Sequence, residues 1–93
     1  MINRQGIDHV TLTVSNLDKT KSFYDQLFQT KFEKHKENSF NLLPVGIPVW
    51  FVQWKKQRPN DRFDETRIGL DHIAFHLETL EELEKFVNRL KDM

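Results

Sequence analysis

Apolar and polar residues alternate over positions 7–14, Ile-Asp-His-Val-Thr-Leu-Thr-Val. Val10, Leu12 and Val14 fall on one face, and His9, Thr11 and Thr13 on the other. Period two in a β-branched run predicts a half-buried strand. Ser15 and Asn16 follow with side-chain oxygens suited to an N-cap. Over 17–28, Leu17, Phe23, Tyr24, Leu27 and Phe28 make a rough apolar stripe, which predicts a helix with Lys19, Lys21, Asp25 and Gln26 toward water. From 29 to 58 the pattern predicts three strands, at 31–36, 39–44 and 48–55. Glu37-Asn38 sits where a tight turn would join the first two. Pro44 and Gly46 punctuate the next turn, and Pro48 opens the third strand, where its missing N–H is tolerated. That third strand is apolar on both faces, so it is expected to be the most buried of the three or to line a pocket.

The charged run 55–67 reads as an exposed connection, with a substrate-covering lid as the alternative. Phe63 is its one large apolar anchor. A strand pattern restarts at Gly69, with Ile73, Phe75 and Leu77 on one face and His72, Ala74 and His76 on the other. Thr79-Leu80-Glu81-Glu82 has the form of a capping box. Leu80, Leu83, Phe86, Val87 and Leu90 then recur at helical spacing.

Two of these stretches are copies. Residues 6–27 and 69–90 superpose at an offset of 63 positions, so that Gly6, Asp8, His9, Leu17, Phe23 and Leu27 fall on Gly69, Asp71, His72, Leu80, Phe86 and Leu90. Each copy is a strand leading into a helix, and such internal similarity governs the choice of fold. Three strands follow the first helix, whereas only Lys91, Asp92 and Met93 follow Leu90. A second unit built like the first would lack its last three strands, and the open edges would favour pairing of two chains.

Composition narrows the classes. At 93 residues the chain makes one small domain with a modest core, to which eight Phe and two Trp contribute most of the large apolar surface. Its 14 acidic and 14 basic residues balance and are interspersed, so no basic stripe marks a nucleic-acid partner. There is no cysteine, which excludes disulfides, thiolate chemistry and Cys-based zinc sites. No apolar run approaches a membrane span, and the N-terminus does not resemble a signal peptide, so a cytoplasmic location is expected. Three glycines are too few and wrongly spaced for a phosphate loop. No carboxylate pair lies on an apolar strand, which disfavours a two-carboxylate hydrolase.

The sharpest chemical signal is the pair His9 and His72. Both sit third in their strands, opposite the aliphatic face, at equivalent repeat positions. Neutral imidazole is the commonest protein ligand for transition metals, and two units related by a local two-fold would bring both rings to one pocket. The plain alternative is an Asp-His pair that bonds locally and does nothing else. Gln53 is the one polar side chain between Val49 and Trp54, and its amide oxygen could complete a ligand set. It could equally satisfy nearby backbone. Thr11, Phe51 and His76 are candidate substrate contacts, His76 also as an acid or base. His35 is expected to face solvent, Tyr24 to be core with a wet hydroxyl, and Trp50 and Trp54 to be core or interface.

The strand-helix opening I-D-H-V-T-L-T-V-S-N-L-D-K-T-K-S-F-Y with a later G-L-D-H-I-A-F resembles the glyoxalase / bleomycin-resistance / extradiol-dioxygenase (vicinal oxygen chelate) superfamily. The resemblance covers the whole chain. It implies an α+β fold in which one βαβββ unit (1–58) is joined by a loop (59–68) to a partial second unit (69–93), with a curved mixed sheet and helices on its outer face. It implies a divalent metal (Zn, Ni, Fe, Mn or Mg) with His9 and His72 as ligands. The last strand of the first unit commonly gives a Glu, near the place of Gln53. The chemistry implied is that of a lyase, isomerase or dioxygenase acting on a small oxygen-chelating molecule, and the open edges add the expectation of a homodimer. A non-catalytic binding module of the bleomycin-resistance type, or an inactive remnant, is the alternative.

Overall fold

Asn16 starts the first helix of the chain. In the computed structural model, which describes residues 1–42 and 46–93, its extended backbone leads into α1 (Leu17–Leu27), and its side chain accepts the Lys19 N–H at 3.0 Å. The strands are β1 (Val10–Thr13), β2 (Lys34–Lys36), β3 (Ser39–Asn41) and β4 (Val49–Val52). All are shorter than the patterns predicted, and residues 43–45, where the second strand and its Pro44 turn were expected to meet, lie outside the described residues. A second helix, α2 (Leu80–Asp92), follows. The chain falls into two units, Met1–Lys56 and Gln57–Met93.

In the first unit the strands form one mixed sheet in the order β1-β4-β3-β2. β4 runs parallel to β1, which is possible because α1 and the β2–β3 hairpin intervene, and antiparallel to β3. β4 lies between β1 and β3, and its two faces carry apolar side chains to different places, Phe51 to the core and Trp50 to the opposite side of the sheet. The register sorts the side chains. Leu12, Phe51 and Phe40 lie abreast on the face that carries the core. Thr11, Trp50 and Asn41 lie abreast on the opposite face, as do Thr13, Val52 and Ser39.

The core is aromatic. Phe40 is fully buried, and its ring stacks on Phe51 at 5.0 Å between centroids. Tyr24 approaches Phe51 at 4.9 Å and Phe32 approaches Phe40 at 6.3 Å, while Leu17 and Leu42 close the cluster. Burial of Tyr24 raises the pKa of its hydroxyl. The segment leaving α1 is held by Asp25, whose carboxylate accepts the Phe32 N–H at 2.8 Å and the Lys21 ammonium at 2.8 Å. Partial burial pushes this carboxyl up, but the bonds from Lys21 and Phe32 and the charges of Lys21 and Lys31 together outweigh it and leave the pKa below the ordinary value. A carboxylate lowered in the folded state stabilises above its unfolded pKa and loses that contribution as pH falls through the folded one. Asp25→Asn is therefore expected to lower the urea midpoint at about pH 7 and to converge on the parent as pH falls below the folded carboxyl's lowered pKa. A gap that stays the same size as the pH is lowered through the carboxylate range would refute this.

The second unit behaves differently. Thr79 Oγ1 accepts the Glu82 N–H at 3.1 Å, as the capping box requires, and α2 forms. Yet no residue of α2 is buried, and Leu80, Leu83, Val87 and Leu90 are all exposed. The expected strand after Gly69 is absent, since residues 70–77 have no regular structure. A strand exists through its ladder, and among the described residues this unit holds no other strand to pair with. The repeat persists in the backbone all the same: Gly6 and Gly69, two residues before the Asp-His pairs, both adopt positive φ (102° and 146°), which a side chain would disfavour. The connection is tied by local bonds, with Asp64 accepting from the Thr66 amide and hydroxyl and Arg67 pairing with Asp61. Phe63 is 67% exposed and anchors nothing. No helix among the described residues is long and apolar enough to cross a membrane.

Candidate functional site

The sheet face opposite the core is a trough. Trp50, at its centre on β4, lies between Thr11 on β1 and Asn41 on β3, both too short to cover an indole. The next step along, Val52 lies between Thr13 and Ser39. The result is a groove of about 590 Å³ whose walls include His9, Thr11, His35, Lys36, Trp50 and Trp54. No carboxylate is among its lining residues. His35 meets Trp50 edge-on, with centroids 5.2 Å apart and planes at 79°.

His9 and Thr11 thus stand where the alternation put them. His9 Nδ1 lies 2.7 Å from Asp8 Oδ1, and in the second unit His72 Nδ1 lies 2.7 Å from Asp71 Oδ1. A carboxylate only accepts, so in each pair the Nδ1–H donates and the Nε2 lone pair is left for another partner. Both pairs are solvent-exposed. His76 is exposed too, in the same irregular stretch as His72.

Gln53 does not join His9. It is one residue out of phase with Val52, so it projects on the core side, where its Oε1 accepts the Leu17 N–H at 2.7 Å. This satisfies an amide that a helix start leaves without an intrahelical partner. Phe51, expected as a ligand contact, borders the groove, but its ring stacks in the core against Phe40 and Tyr24 and is 3% exposed. Among the described residues no group of three or more His, Asp or Glu side chains comes together to hold a metal.

Sequence reasoning missed His35 and Lys36 as groove residues. The β2–β3 register pairs Lys34 with Phe40 and Lys36 with Ser39, so an irregularity falls at His35 and strict alternation no longer tells which way it faces. A second groove of about 1030 Å³ lies beside the start of α1, between Lys34, Lys36, Lys55 and Lys56. Its amides are already engaged, Leu17 by Gln53 and Lys19 by Asn16, and Lys34 pairs with Asp18 at 2.8 Å. The Lys34 hydrogen bond and charge hold the Asp18 carboxyl below its ordinary pKa.

Comparison with known proteins identifies the family and the fold. The family model for the Glyoxalase/Bleomycin resistance protein/Dioxygenase superfamily matches residues 6–93. The fosfomycin resistance protein FosX of Listeria innocua serovar 6a is 25% identical over 97 residues, covering 95% of this chain, and the chain spans 65% of that protein's length. Among solved structures, a glyoxylase/bleomycin resistance protein/dioxygenase domain from Frankia sp. EAN1pec superposes with a TM-score of 0.76 at 28% identity, over 97% of this chain and 70% of that one. An integron cassette protein from V. cholerae superposes with a TM-score of 0.67 at 18% identity, over 99% of this chain and 70% of that one, a likeness of fold alone.

Proposed function

The chain belongs to the glyoxalase/bleomycin resistance protein/dioxygenase superfamily, and on that premise we propose that it binds a divalent metal, with His9 of the first unit and His72 of the second each serving as a metal ligand, together with a small oxygen-bearing molecule. The observation that carries this reading is the repeated Asp-His pair. Asp8 and Asp71 orient their imidazoles in the same way, at the same 2.7 Å, and leave each Nε2 free to ligate. A carboxylate behind an imidazole is the arrangement that fixes the tautomer and raises the basicity of a metal-binding histidine. An ion held there supplies Lewis acidity toward adjacent substrate oxygens, as lyase, isomerase or dioxygenase chemistry requires. Thr11 and Trp50 then shape the groove beside His9, and His76 is the acid or base candidate of the second unit.

The experiment is metal titration of protein purified without chelator. His9→Ala and His72→Ala are each expected to weaken binding at least about tenfold, and Asp8→Asn or Asp71→Asn by about 10–100-fold, with the far-UV spectrum unchanged. Absence of any metal affinity, or a His72→Ala variant that binds as the parent does, overturns the reading.

A second reading is a non-catalytic binding module, and the groove favours it: two tryptophans line it and no carboxylate does. Ligand stabilisation that persists after metal removal supports it over the first. Either reading includes a homodimer, because β1 and β2 are the edge strands of the first unit's sheet and an open edge favours pairing with a second chain. A native mass equal to one chain would refute that part.

A further inference from the structure

We propose that the groove over β4 takes an aromatic carboxylate, with its ring against Trp50 and its carboxylate toward His35 and Lys36. Trp50 is half-buried and flanked across the sheet by Thr11 and Asn41, so its own neighbours do not cover the indole. An aromatic surface set among short polar side chains suits a planar ring in offset or edge-on contact. His35 shows the geometry already, edge-on to the same indole at 5.2 Å.

The sign of the ligand comes from what lines the groove. Lys36 contributes an ammonium and His9 and His35 contribute imidazoles, while none of the 14 acidic residues is in the lining. Lys34, the other cation of β2, is taken by Asp18, and the carboxylate of Asp8, next to His9 in the chain, is bonded to the His9 ring. Asn38 and Ser39 add neutral hydrogen-bonding groups on the same wall. A cationic ligand would find no counter-charge in this lining, and a neutral one would leave Lys36 without a partner there. At about 590 Å³ the groove is within the usual range for small-molecule sites. The inference rests on the reading that this groove is the ligand site, and it is independent of the metal.

The test is equilibrium dialysis in the presence of EDTA with three probes. Benzoate has both features, benzamide lacks the charge, and cyclohexanecarboxylate lacks the aromatic face. Benzoate is expected to bind at least about tenfold more tightly than either. Trp50→Leu is expected to abolish the preference over cyclohexanecarboxylate. His35→Phe with Lys36→Met keeps a ring beside Trp50 and is expected to bring benzoate down to benzamide. Trp50 lies off the core face, so these variants leave the Phe40–Phe51 core intact, and far-UV spectra check it. Equal binding of the three probes, no binding at about 10 mM, or an unchanged Trp50→Leu variant overturns the proposal. So does tryptophan emission that responds to dilution but not to benzoate, which assigns the face to a second copy of the chain. Benzoate binding without metal affinity upholds this inference and sinks the metal reading, and metal affinity without benzoate binding does the reverse.

Discussion

Phe40→Ala is expected to leave the first unit largely unfolded at 25 °C. Truncating a buried Phe costs about 3–5 kcal/mol, partly through lost transfer energy and partly through the cavity left behind. Phe40 is fully buried between Phe32 and Phe51 and sits on the central pair of the sheet, so the hole has rigid walls and little to collapse into it. A unit spanning Met1–Lys56 has, at about 0.05–0.15 kcal/mol per residue, only about 3–8 kcal/mol of stability to lose. The cost and the reserve are of the same size. Urea titration followed by near-ultraviolet circular dichroism checks this. Phe40→Leu, which keeps most of the volume, is expected to cost about 1–1.5 kcal/mol. Phe23→Ala is the contrast: Phe23 is 40% exposed on α1, and its loss is expected to cost less than half as much as that of Phe40. A Phe40→Ala protein within about 1 kcal/mol of the parent would mean that the aromatic stack is not what holds the sheet to the helix.

That stack was half legible in the sequence. Val10, Leu12 and Val14 alternate cleanly, and Leu12 and Val14 pack against the core while His9 and Thr11 line the groove. The caps were legible as well, because Asn16 and Thr79 act through short local bonds that need no tertiary context. The fold class was legible through the family that the strand-helix opening resembles, and the matched family and the superposed structure uphold it. What stayed hidden depends on partners. Val49, Trp50, Phe51 and Val52 are all apolar, so no periodicity tells which of Trp50 and Phe51 faces the groove. Only pairing with Phe40 and Asn41 decides it, and it sends the Phe51 ring to the core. The stretch 70–77 carries the same alternation as β1 but has no ladder to join, so pattern alone does not make it a strand. His35 fell to the irregularity between Lys34 and Lys36.

Gln53 is the sharpest case of this kind, and it yields the second large effect. Its position suggested a metal ligand, yet its carbonyl oxygen is spent on the Leu17 amide. The backbone of the same residue is clamped to the β2–β3 turn, with Gln53 N–H donating to Asn38 O at 3.0 Å and Asn38 Nδ2 donating to Gln53 O at 3.2 Å. One residue therefore ties the end of β4 to both the hairpin and the start of α1. Gln53→Ala leaves the Leu17 N–H without its acceptor beside a side chain that is 2% exposed, where water reaches poorly. The expected cost is about 1–3 kcal/mol. Gln53→Glu keeps an acceptor and adds a negative charge at the positive end of the helix, worth about 0.3–1 kcal/mol, so it is expected to equal or exceed the parent in stability at neutral pH. Metal affinity separates this role from ligation. If Gln53 serves the helix, Gln53→Ala lowers the urea midpoint while metal binding by the folded protein stays within about twofold of the parent. A Gln53→Ala protein of parental stability that has lost metal affinity would reverse the assignment, and would require the amide to leave Leu17 when an ion binds.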